Sequence, residues 1–313
     1  LLLDQLIYGE VSRISPEAPV PVVWVIEDDH YRPGGSCNVA SNLAKLGAEV
    51  LLVGVVGEDA YAAVLKEELD QRNISIEGLV TDRARPTIRK TRVFARHQKH
   101  QRQQVVRIDR ENIDPVSGKC FGRMEEYISR HLKDVDGVII EDYGKGVVTP
   151  EIISVVKKAK KWGKLVAVDP KENHFKYYKG VSVITPNNYE AAKAAGFSLD
   201  SEEELKKGGE RLLAKYKSDV ILITLGEKGM VVFEKSKPPR KIPTLAQEVF
   251  DVSGAGDTVI AVYSLAAVSG ASPVASAHIA NCAAGIVVGK IGPEVVTKSE
   301  LLSRLRSETG GRR

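Results

Sequence analysis

A carboxylate follows a glycine-rich loop in the C-terminal third of the sequence. In the stretch DVSGAGDTVIAVY, residues 251–263, Gly254, Ala255 and Gly256 precede Asp257, and an apolar run follows. Glycine lets a backbone approach an anion closely, and the first amides of a helix attract negative charge. The pattern predicts a cradle of backbone amides for a phosphoryl group, with Asp257 as general base toward a hydroxyl group. The alternative role for Asp257 is an ordinary N-cap.

A second glycine pair lies near the start of the chain. Gly34 and Gly35 precede a predicted helix that has Asn38 in its first turn. By itself such a pair is more often a simple turn.

Polar residues also follow apolar runs that read as strands. These runs of Val, Ile and Leu lie at 50–57, 137–144, 165–170, 181–187 and 220–226, and they alternate with amphipathic stretches at 58–72, 120–133, 150–162 and 201–216. Strands that are apolar on both faces, alternating with helices, indicate an α/β fold with a mostly parallel central sheet and helices on both faces. Ligands bind outside the carboxyl ends of such strands, so Asp142, Asp169, Asn187 and Gly226 are expected to face one crevice.

Two segments break this alternation. Residues 11–32 and 87–109 alternate apolar and polar residues, which predicts antiparallel strands of a small separate sheet, a lid that excludes water from the crevice. Residues 83–110 carry ten Arg or Lys and a single acid, Asp109. Three interpretations remain: a solvated strand face, a site for an anionic substrate, or a nucleic-acid surface. The third is disfavoured because aromatic residues are not interleaved with the basic ones.

Composition limits the class of protein. With 313 residues, 43% of them hydrophobic, the chain can bury a sizeable core, and its net charge of +4 does not call for nucleic acid. Cys37, Cys120 and Cys282 share no metal-binding or redox spacing, which is typical of reduced thiols in a cytoplasm. No apolar stretch approaches the roughly 18 residues of a membrane span, and no signal peptide is visible. We expect a cytoplasmic protein with no membrane partner. The opening LLLD begins inside an apolar run, so we also expect that an upstream strand is missing.

Three motifs, in this order, resemble those of the PfkB/ribokinase family of sugar kinases. They are Gly35 with Asn38 and Ala40, Asn187 with Glu190 in TPNNYE, and Asp251 to Asp257. The resemblance covers essentially the whole chain and implies a single ribokinase-like kinase domain over 1–313, with lid strands within about 8–32 and 85–110. It implies transfer of a phosphoryl group from ATP to a sugar, with Mg²⁺ and K⁺ as cofactors.

The resemblance also assigns site residues on the ATP side. Asn187 and Glu190 would organise Mg²⁺ through water, although they could simply cap a helix. Lys171 would reach the ATP phosphates or is a surface lysine; Thr224, Gly226 and Gly229 would form an ATP-side turn or a plain hairpin turn. Asn281 is an adenine-pocket residue or a satisfied core amide. The implied K⁺ site is at Asp251 and Val252.

On the sugar side the implied ligands are Asp4, Gly34, Gly35, Asn38, Asp142 and Lys145. Lys90 and Arg92 project from one face of a predicted lid strand. Together with Lys145 or Arg13 they are the candidates for binding a phosphate already present on the sugar.

Within the family, segments 12–22, 141–146, 169–171 and 246–260 resemble the heptose-7-phosphate kinases. These enzymes phosphorylate the anomeric hydroxyl of D-glycero-β-D-manno-heptose 7-phosphate, giving the 1,7-bisphosphate used for ADP-heptose and the lipopolysaccharide core. In many bacteria this kinase precedes an adenylyltransferase in one protein, so the chain is expected to be a stand-alone kinase or an excised domain. Ser253 departs from the family, which often has Thr there.

Two alternatives stay open. One is another sugar kinase of the same family, of the fructokinase or phosphofructokinase type. The other is a non-catalytic ligand-binding or nucleic-acid-binding module, against which an intact Asp257 argues. The unpaired edges of the lid predict a homodimer formed through it, with no nucleic-acid partner.

Overall fold

The computed structural model describes residues 1–96, 103–245, 249–290 and 294–310. The strands, in chain order, are β1 (Leu2–Ile14), β2 (Pro21–Val25), β3 (His30–Gly34), β4 (Gly54–Val56), β5 (Leu79–Thr81), β6 (Ile88–Arg96), β7 (Gln103–Arg110), β8 (Gly137–Glu141), β9 (Leu165–Asp169), β10 (Val183–Ile184), β11 (Val220–Thr224), β12 (Met230–Glu234) and β13 (Arg240–Ile242). The α-helices are α1 (Ser36–Lys45), α2 (Ala60–Asp70), α3 (Gly118–His131), α4 (Pro150–Val156), α5 (Asn188–Ala195), α6 (Glu202–Tyr216), α7 (Ala255–Val268), α8 (Pro273–Val287) and α9 (Lys298–Gly310).

The central sheet has six strands in the order β13-β12-β11-β10-β9-β8. Strands β8 to β11 run parallel, and β12 and β13 add an antiparallel edge. Strands β9 to β12 are apolar and almost fully buried, as expected where both faces of a sheet are covered. The prediction of an α/β fold with a mostly parallel sheet is confirmed.

Helices cover both faces of this sheet. On one face Ile153 of α4, Ala191 of α5 and Leu212 of α6 belong to one hydrophobic cluster with the strands. On the other face α7 and α8, together with α1 and α9, form a second cluster around Ile260 and Ala283. Helix α7 is apolar nearly all round, which suits a helix enclosed by the sheet, α1 and α8.

A second sheet, called the small sheet below, contains five strands. Its path is β2-β1-β6-β7, and β3 also pairs with β1. The prediction that these segments pair antiparallel is only partly right, because β1 and β6 are parallel from Leu2–Ile88 to Glu10–Arg96. Alternation of side chains predicts a strand but carries no information about the direction of its neighbour. The first five residues of β1, Leu2 to Leu6, are buried, and Leu3 belongs to a hydrophobic cluster.

Two predicted elements differ in extent. Only β4 of the apolar run at 50–57 forms a strand, in a two-stranded parallel sheet with β5 that is separate from the central sheet, and Leu51 adds an isolated bridge to Ser75. The helix predicted over 150–162 changes after Val156 to a 3-10 helix, Lys157–Trp162, which ends at Gly163 with a φ of 72°. Apolar periodicity does not specify which sheet a strand joins or the winding of a helix.

Residues 97–102 of the basic segment and residues 246–248 of the segment 246–260 lie outside the described residues. None of the helices in the described ranges has the length and apolarity needed to cross a bilayer.

Candidate active site

Asp257 is the third residue of α7 and lies where α1, α7 and the end of β8 meet. Its Oδ2 accepts a hydrogen bond of 2.8 Å from Asn38 Nδ2, and its Oδ1 accepts one of 3.0 Å from the Tyr143 hydroxyl. The N-cap position of α7 belongs to Gly254, which has a φ of 79°. The alternative reading of Asp257 as an N-cap is therefore wrong.

The surroundings of Asp257 change its acidity. The residue is only 6% exposed, and this burial raises the pKa of its carboxyl group, while the hydrogen bonds from Asn38 and Tyr143 oppose the rise. A carboxylate with a raised pKa is a stronger base once it is ionised. The environment thus suits Asp257 for accepting a proton.

Two glycines allow the start of α1 to approach this carboxylate. Gly35 has a φ of 55°, and a Cβ added there would lie 2.9 Å from the ring of Tyr143. A Cβ on Gly34 would overlap the carboxylate of Asp4. Glycine at both positions brings Asn38 within reach of Asp257.

A group of cations and a carboxylate extends from Asp257 into the small sheet. Asp4 on β1 is buried beside Lys90 on β6, and the Arg92 guanidinium donates a hydrogen bond to Asp4 Oδ1. Burial raises the pKa of Asp4, which Arg92 opposes, and burial lowers the pKa of Lys90, which Asp4 opposes. Lys90 Nζ lies 5.1 Å from the centroid of the Tyr143 ring. We call Asp257, Asn38, Tyr143, Asp4, Lys90 and Arg92 the Asp257 cluster.

Opposite Arg92, across β6 and β7, lies Arg107. Like charges in register across two strands repel each other unless an opposite charge lies near. Here Asp4 pairs with Arg92, and Asp109 pairs with Arg107 through hydrogen bonds of 2.8 and 3.0 Å. The small sheet therefore presents three cations, Lys90, Arg92 and Arg107, around Asp4.

Two acids lie at the carboxyl ends of neighbouring parallel strands. Glu141 of β8 and Asp169 of β9 are register partners, and Thr185 Oγ1 donates a hydrogen bond of 2.9 Å to Asp169. Burial raises the pKa of Asp169 to about 7, with the negative charge of Glu190 adding to the rise. Burial and the charge of Asp169 raise the pKa of Glu141 well above its usual range.

One carboxylate oxygen of this pair could bind a cation. Oε2 of Glu141 is buried and has no hydrogen-bond partner among the described residues. A Cβ added to Gly256 of the cradle would meet only Asp169 Oδ2, at 3.9 Å. Carboxylate oxygens are the ligands that a hard divalent cation such as Mg²⁺ prefers, so the residues present fit that ion.

Asn187 and Glu190 form a reciprocal capping box at the start of α5. Asn187 Oδ1 accepts from the Glu190 amide at 2.9 Å, and Glu190 Oε2 accepts from the Asn187 amide at 3.0 Å. The capping alternative thus describes their local geometry. Burial raises the pKa of Glu190, whose charge is also felt at Asp169.

Two of the residues predicted on the ATP side, Gly229 and Asn281, lie beside the chain at the end of β13. Thr224 lies next to Asn187 through a parallel bridge, and the turn after it is a 3-10 helix from Gly226 to Lys228. Gly229 has a φ of 85°, and a Cβ there would overlap the carbonyl oxygen of Ile242. From the other side, Asn281 Nδ2 donates a hydrogen bond of 2.7 Å to the Pro243 carbonyl.

Lys171 lies just beyond β9. Its Nζ pairs with Glu172 at 3.0 Å, and its side chain is about two-fifths exposed.

In the loop before α7, the Ser253 amide donates to Asp251 Oδ1 at 2.8 Å and the Ala255 amide donates to the Val252 carbonyl at 3.2 Å. One amide of the predicted cradle is thus engaged within its own turn.

Three predicted sugar-side residues make no contact with the Asp257 cluster among those that the structure describes. Asp142 accepts hydrogen bonds from the Gly144 amide and the Tyr178 hydroxyl, at 2.7 and 2.6 Å, and contacts His174 Nδ1 at 2.8 Å. Lys145 forms an ion pair of 2.5 Å with Glu111. Arg13 is exposed on β1, nine residues beyond Asp4, a distance of roughly 30 Å along a strand. The side-chain partners of Asp142 and Lys145 lie in other parts of the chain, and their positions relative to β8 could not be predicted from the sequence.

Tyr143, Glu141 and Arg107 are absent from the sequence predictions. Glu141 and Tyr143 flank Asp142 at the end of β8, so the rule that ligands bind at carboxyl ends of parallel strands could have identified them. Arg107 was counted only as part of the basic segment, because its position opposite Arg92 depends on the register of β6 and β7.

Comparison with known proteins adds to this geometry. A family model described as pfkB family carbohydrate kinase matches residues 6–299. The chain is 40% identical over 304 residues to Bifunctional protein HldE of Pelobacter propionicus, covering 97% of this chain and 61% of that protein. It is 42% identical over 312 residues to Bifunctional protein HldE of Wolinella succinogenes, covering 99% of this chain and 64% of that protein. The chain thus spans less than two thirds of the length of these relatives.

Solved structures share the fold. A ribokinase of Arabidopsis thaliana, complexed with ribose and ATP, superposes with a TM-score of 0.75 at 22% identity, covering 97% of this chain and 96% of that one. Phosphofructokinase-2 from Escherichia coli, in complex with substrates and products, superposes with a TM-score of 0.80 at 17% identity, covering 98% and 96%. At these identities the likeness concerns the fold, and it confirms the predicted ribokinase-like class.

Proposed function

The chain belongs to the pfkB family of carbohydrate kinases, and from this premise we propose that it phosphorylates the anomeric hydroxyl of D-glycero-β-D-manno-heptose 7-phosphate. The product would be the 1,7-bisphosphate, with ATP as the donor. The observation that carries the proposal is a buried carboxylate, Asp257, at the start of a helix and next to a cationic sheet. The choice of heptose depends on the resemblance of segments 12–22, 141–146 and 169–171, and on the relatives named HldE.

In the proposed reaction Asp257 takes the proton from the anomeric hydroxyl. The hydroxyl oxygen then bonds to the γ-phosphorus as the bond from that phosphorus to ADP breaks. Asn38 and Tyr143 hold the carboxylate in position through their hydrogen bonds. The backbone amides at the start of α7, at Gly254, Gly256 and Asp257, stabilise the charge on the transferred group.

The proposed nucleotide site lies on the side of Asp257 away from the small sheet. Lys171, Thr224, Gly226, Gly229 and Asn281 contact ATP in this proposal. Glu190 and Asn187 would organise Mg²⁺ through water, and Asp169 and Glu141 would supply further oxygen ligands. Bound there, Mg²⁺ would neutralise negative charge on the ATP phosphates. The K⁺ site proposed at Asp251 and Val252 lies in the loop that leads into α7.

The proposed sugar site lies between α1 and the small sheet. Asp4, Gly34, Gly35 and Asn38 contact the sugar. Lys90 and Arg92 bind the 7-phosphate, and Arg107, placed opposite Arg92, is added to them. A phosphorylated sugar brings about two negative charges, which guanidinium and ammonium groups bind through charge-assisted hydrogen bonds. Asp142 and Lys145 have less support because their partners lie elsewhere in this chain, and Arg13 has less support because it is exposed on β1, far from Asp4.

We also propose that the small sheet is a lid that pairs with its counterpart in a homodimer. The apolar side chains exposed on it include Trp24, Val25, Val106 and Ile108. A cytoplasmic location fits both the use of ATP and three cysteines without a disulfide partner among the described residues.

A substrate panel tests the proposed function. ATP consumption is measured with D-glycero-β-D-manno-heptose 7-phosphate, fructose 6-phosphate, fructose and ribose, each with Mg²⁺, and the product is identified by ³¹P NMR. We expect the highest kcat/KM with heptose 7-phosphate and a new anomeric phosphate in the product. A higher kcat/KM with fructose 6-phosphate or an unphosphorylated sugar would contradict the proposal and favour the fructokinase or phosphofructokinase type.

A further inference from the structure

Three side chains with different metal-binding atoms meet between α8 and α9, outside the Asp257 cluster. His278 and Cys282 are four residues apart on α8, and Glu308 comes from the last turns of α9. Residues four apart on a helix present neighbouring side chains. Their ligand atoms all lie within 4.8 Å of one another, and no other such group of His, Cys, Asp and Glu occurs within the described ranges.

The two separations from sulfur match those between the ligands of a tetrahedral site, whereas His278 and Glu308 are at a hydrogen-bond distance. His278 Nε2 lies 2.9 Å from Glu308 Oε2, and Cys282 Sγ lies 3.5 and 3.7 Å from the two Glu308 oxygens. Zn²⁺ binds sulfur at about 2.3 Å and nitrogen at about 2.0–2.1 Å, which places two tetrahedral ligands roughly 3.5 Å apart. An ion among the three groups would replace the contact between His278 and Glu308, whose atoms would move apart to bind it.

The site is closed on one side and open on the other. Cys282 is fully buried, whereas the side chains of His278 and Glu308 are 44% and 22% exposed. An ion can therefore enter from solvent and keep a water molecule as its fourth ligand. Three protein ligands with one open position is a common arrangement for Zn²⁺.

The charges around the thiol favour a cation. The Cys282 thiol faces the Glu308 carboxylate, so the proton on its sulfur lies beside a negative charge. A divalent cation can replace that proton, which leaves to solvent when the thiolate binds the metal. Arg304 Nε lies 3.8 Å from Glu308 Oε1 and opposes the cation, so the balance depends on the three ligands together.

We propose that His278, Cys282 and Glu308 bind one borderline-soft divalent cation of the Zn²⁺ class, which ties α9 to α8. The cysteines share no metal-binding spacing in the sequence, because the third ligand comes from another helix. Helix α9 also donates a hydrogen bond from Arg304 to the Leu245 carbonyl, and α8 donates one from Asn281 to the Pro243 carbonyl. The bound ion would thus stabilise two helices that hold residues 243–245.

The test uses the metal alone and the full chain. The protein is stripped with a chelator and titrated with Co²⁺, and the absorption spectrum is recorded. We expect a thiolate-to-cobalt charge-transfer band and intense visible bands of tetrahedral Co²⁺, both of which Zn²⁺ abolishes at one equivalent per chain. Competition with a coloured chelator then gives the Zn²⁺ affinity, and thermal melts with and without Zn²⁺ give the shift in Tm.

Variants assign the bands to these residues. Cys282→Ser should remove the charge-transfer band and the Zn²⁺-dependent rise in Tm. His278→Ala and Glu308→Gln should weaken Zn²⁺ binding by more than about tenfold, the effect typical of losing even an outer partner of a metal site. Cys120→Ser is the matched control, a buried cysteine on α3. The absence of these bands in the wild type, or their persistence in Cys282→Ser, would overturn the proposal and leave an ordinary hydrogen-bonded cluster.

Discussion

Asp257 owes its chemical character to neighbours that lie far away in the chain. Asn38 is 219 residues from it and Tyr143 is 114, yet both donate hydrogen bonds to its carboxylate. The glycines before Asp257 predict a base in a phosphate cradle, because glycine lets backbone amides approach a phosphate group beside the acid. The partners of that acid could not be predicted, because they depend on how three separate elements pack.

Tyr143→Phe tests whether these hydrogen bonds control the pKa of Asp257. The Tyr143 hydroxyl stabilises the ionised form of Asp257, so removing it should raise the pKa of the carboxyl group further. Activity that needs ionised Asp257 is lost as the pH falls through that pKa, so the acid limb of the kcat profile should move to higher pH. We expect kcat at neutral pH to fall by about tenfold, the effect of one hydrogen bond to a charged group.

The control for this experiment is Tyr189→Phe, which removes the hydroxyl of an exposed tyrosine. Its pH profile should match that of the wild type. An acid limb that stays in place in Tyr143→Phe would show that this tyrosine does not influence the base.

At the scale of elements, the alternation of apolar and polar residues predicts which side chains share a face of a strand. It does not predict which strands pair or in which direction they run. It predicts correctly that Lys90 and Arg92 share a face of β6, and the structure brings both beside Asp4 of β1. It could not predict that β1 runs parallel to β6. It also could not predict that β1 continues from Asp4 to Arg13 as one strand, which places Arg13 far from Asp4. Local pattern specifies an element, whereas pairing depends on the rest of the fold.

Arg92→Ala tests the role of strand β6 in binding a sugar phosphate. Charge-assisted hydrogen bonds to a phosphate contribute roughly 1.5–3 kcal/mol each. We therefore expect KM for heptose 7-phosphate to rise by roughly ten- to a hundredfold, with KM for ATP nearly unchanged. The preference for phosphorylated over unphosphorylated sugar should also be lost, as steady-state kinetics with both sugars would show.

Two variants separate charge from packing in this prediction. Arg92→Lys keeps the charge near Asp4 and should recover part of the affinity. Arg96→Ala removes an arginine from the same strand, where it pairs with Glu10 at a half-exposed position, and should leave both KM values unchanged. If Arg92→Ala weakens ATP and spares the sugar phosphate, the small sheet has been assigned to the wrong ligand.

For the whole molecule, the two sheets have different surroundings. Helices cover the central sheet on both faces, but the small sheet exposes apolar side chains, with Trp24 of β2 73% exposed. The layered architecture was predictable because buried parallel strands have an unmistakable apolar pattern. The separation of β4 and β5 from the central sheet was not, because it depends on hydrogen bonds between strands rather than on pattern.

A homodimer formed through the small sheet is the prediction at this scale. Large exposed apolar side chains on a sheet with open edges favour association. We expect light scattering to give the mass of a dimer at micromolar concentrations, and Trp24→Glu to shift it toward the monomer. Trp162→Glu, at an exposed tryptophan outside the small sheet, should remain dimeric. A monomeric wild type at high micromolar concentration would contradict this assembly.

The most direct test of the account is phosphoryl transfer by Asp257→Asn. The substitution keeps the shape of the side chain and removes its ability to accept a proton, whereas Asp200→Asn makes the same change at an exposed site. With ATP and the best sugar of the substrate panel, we predict that turnover falls by a factor of roughly 10²–10⁴ while calorimetry gives an unchanged Kd for ATP. Asp200→Asn should behave as the wild type. If Asp257→Asn keeps more than about a tenth of wild-type turnover, well short of the loss expected for a general base, Asp257 is not the base.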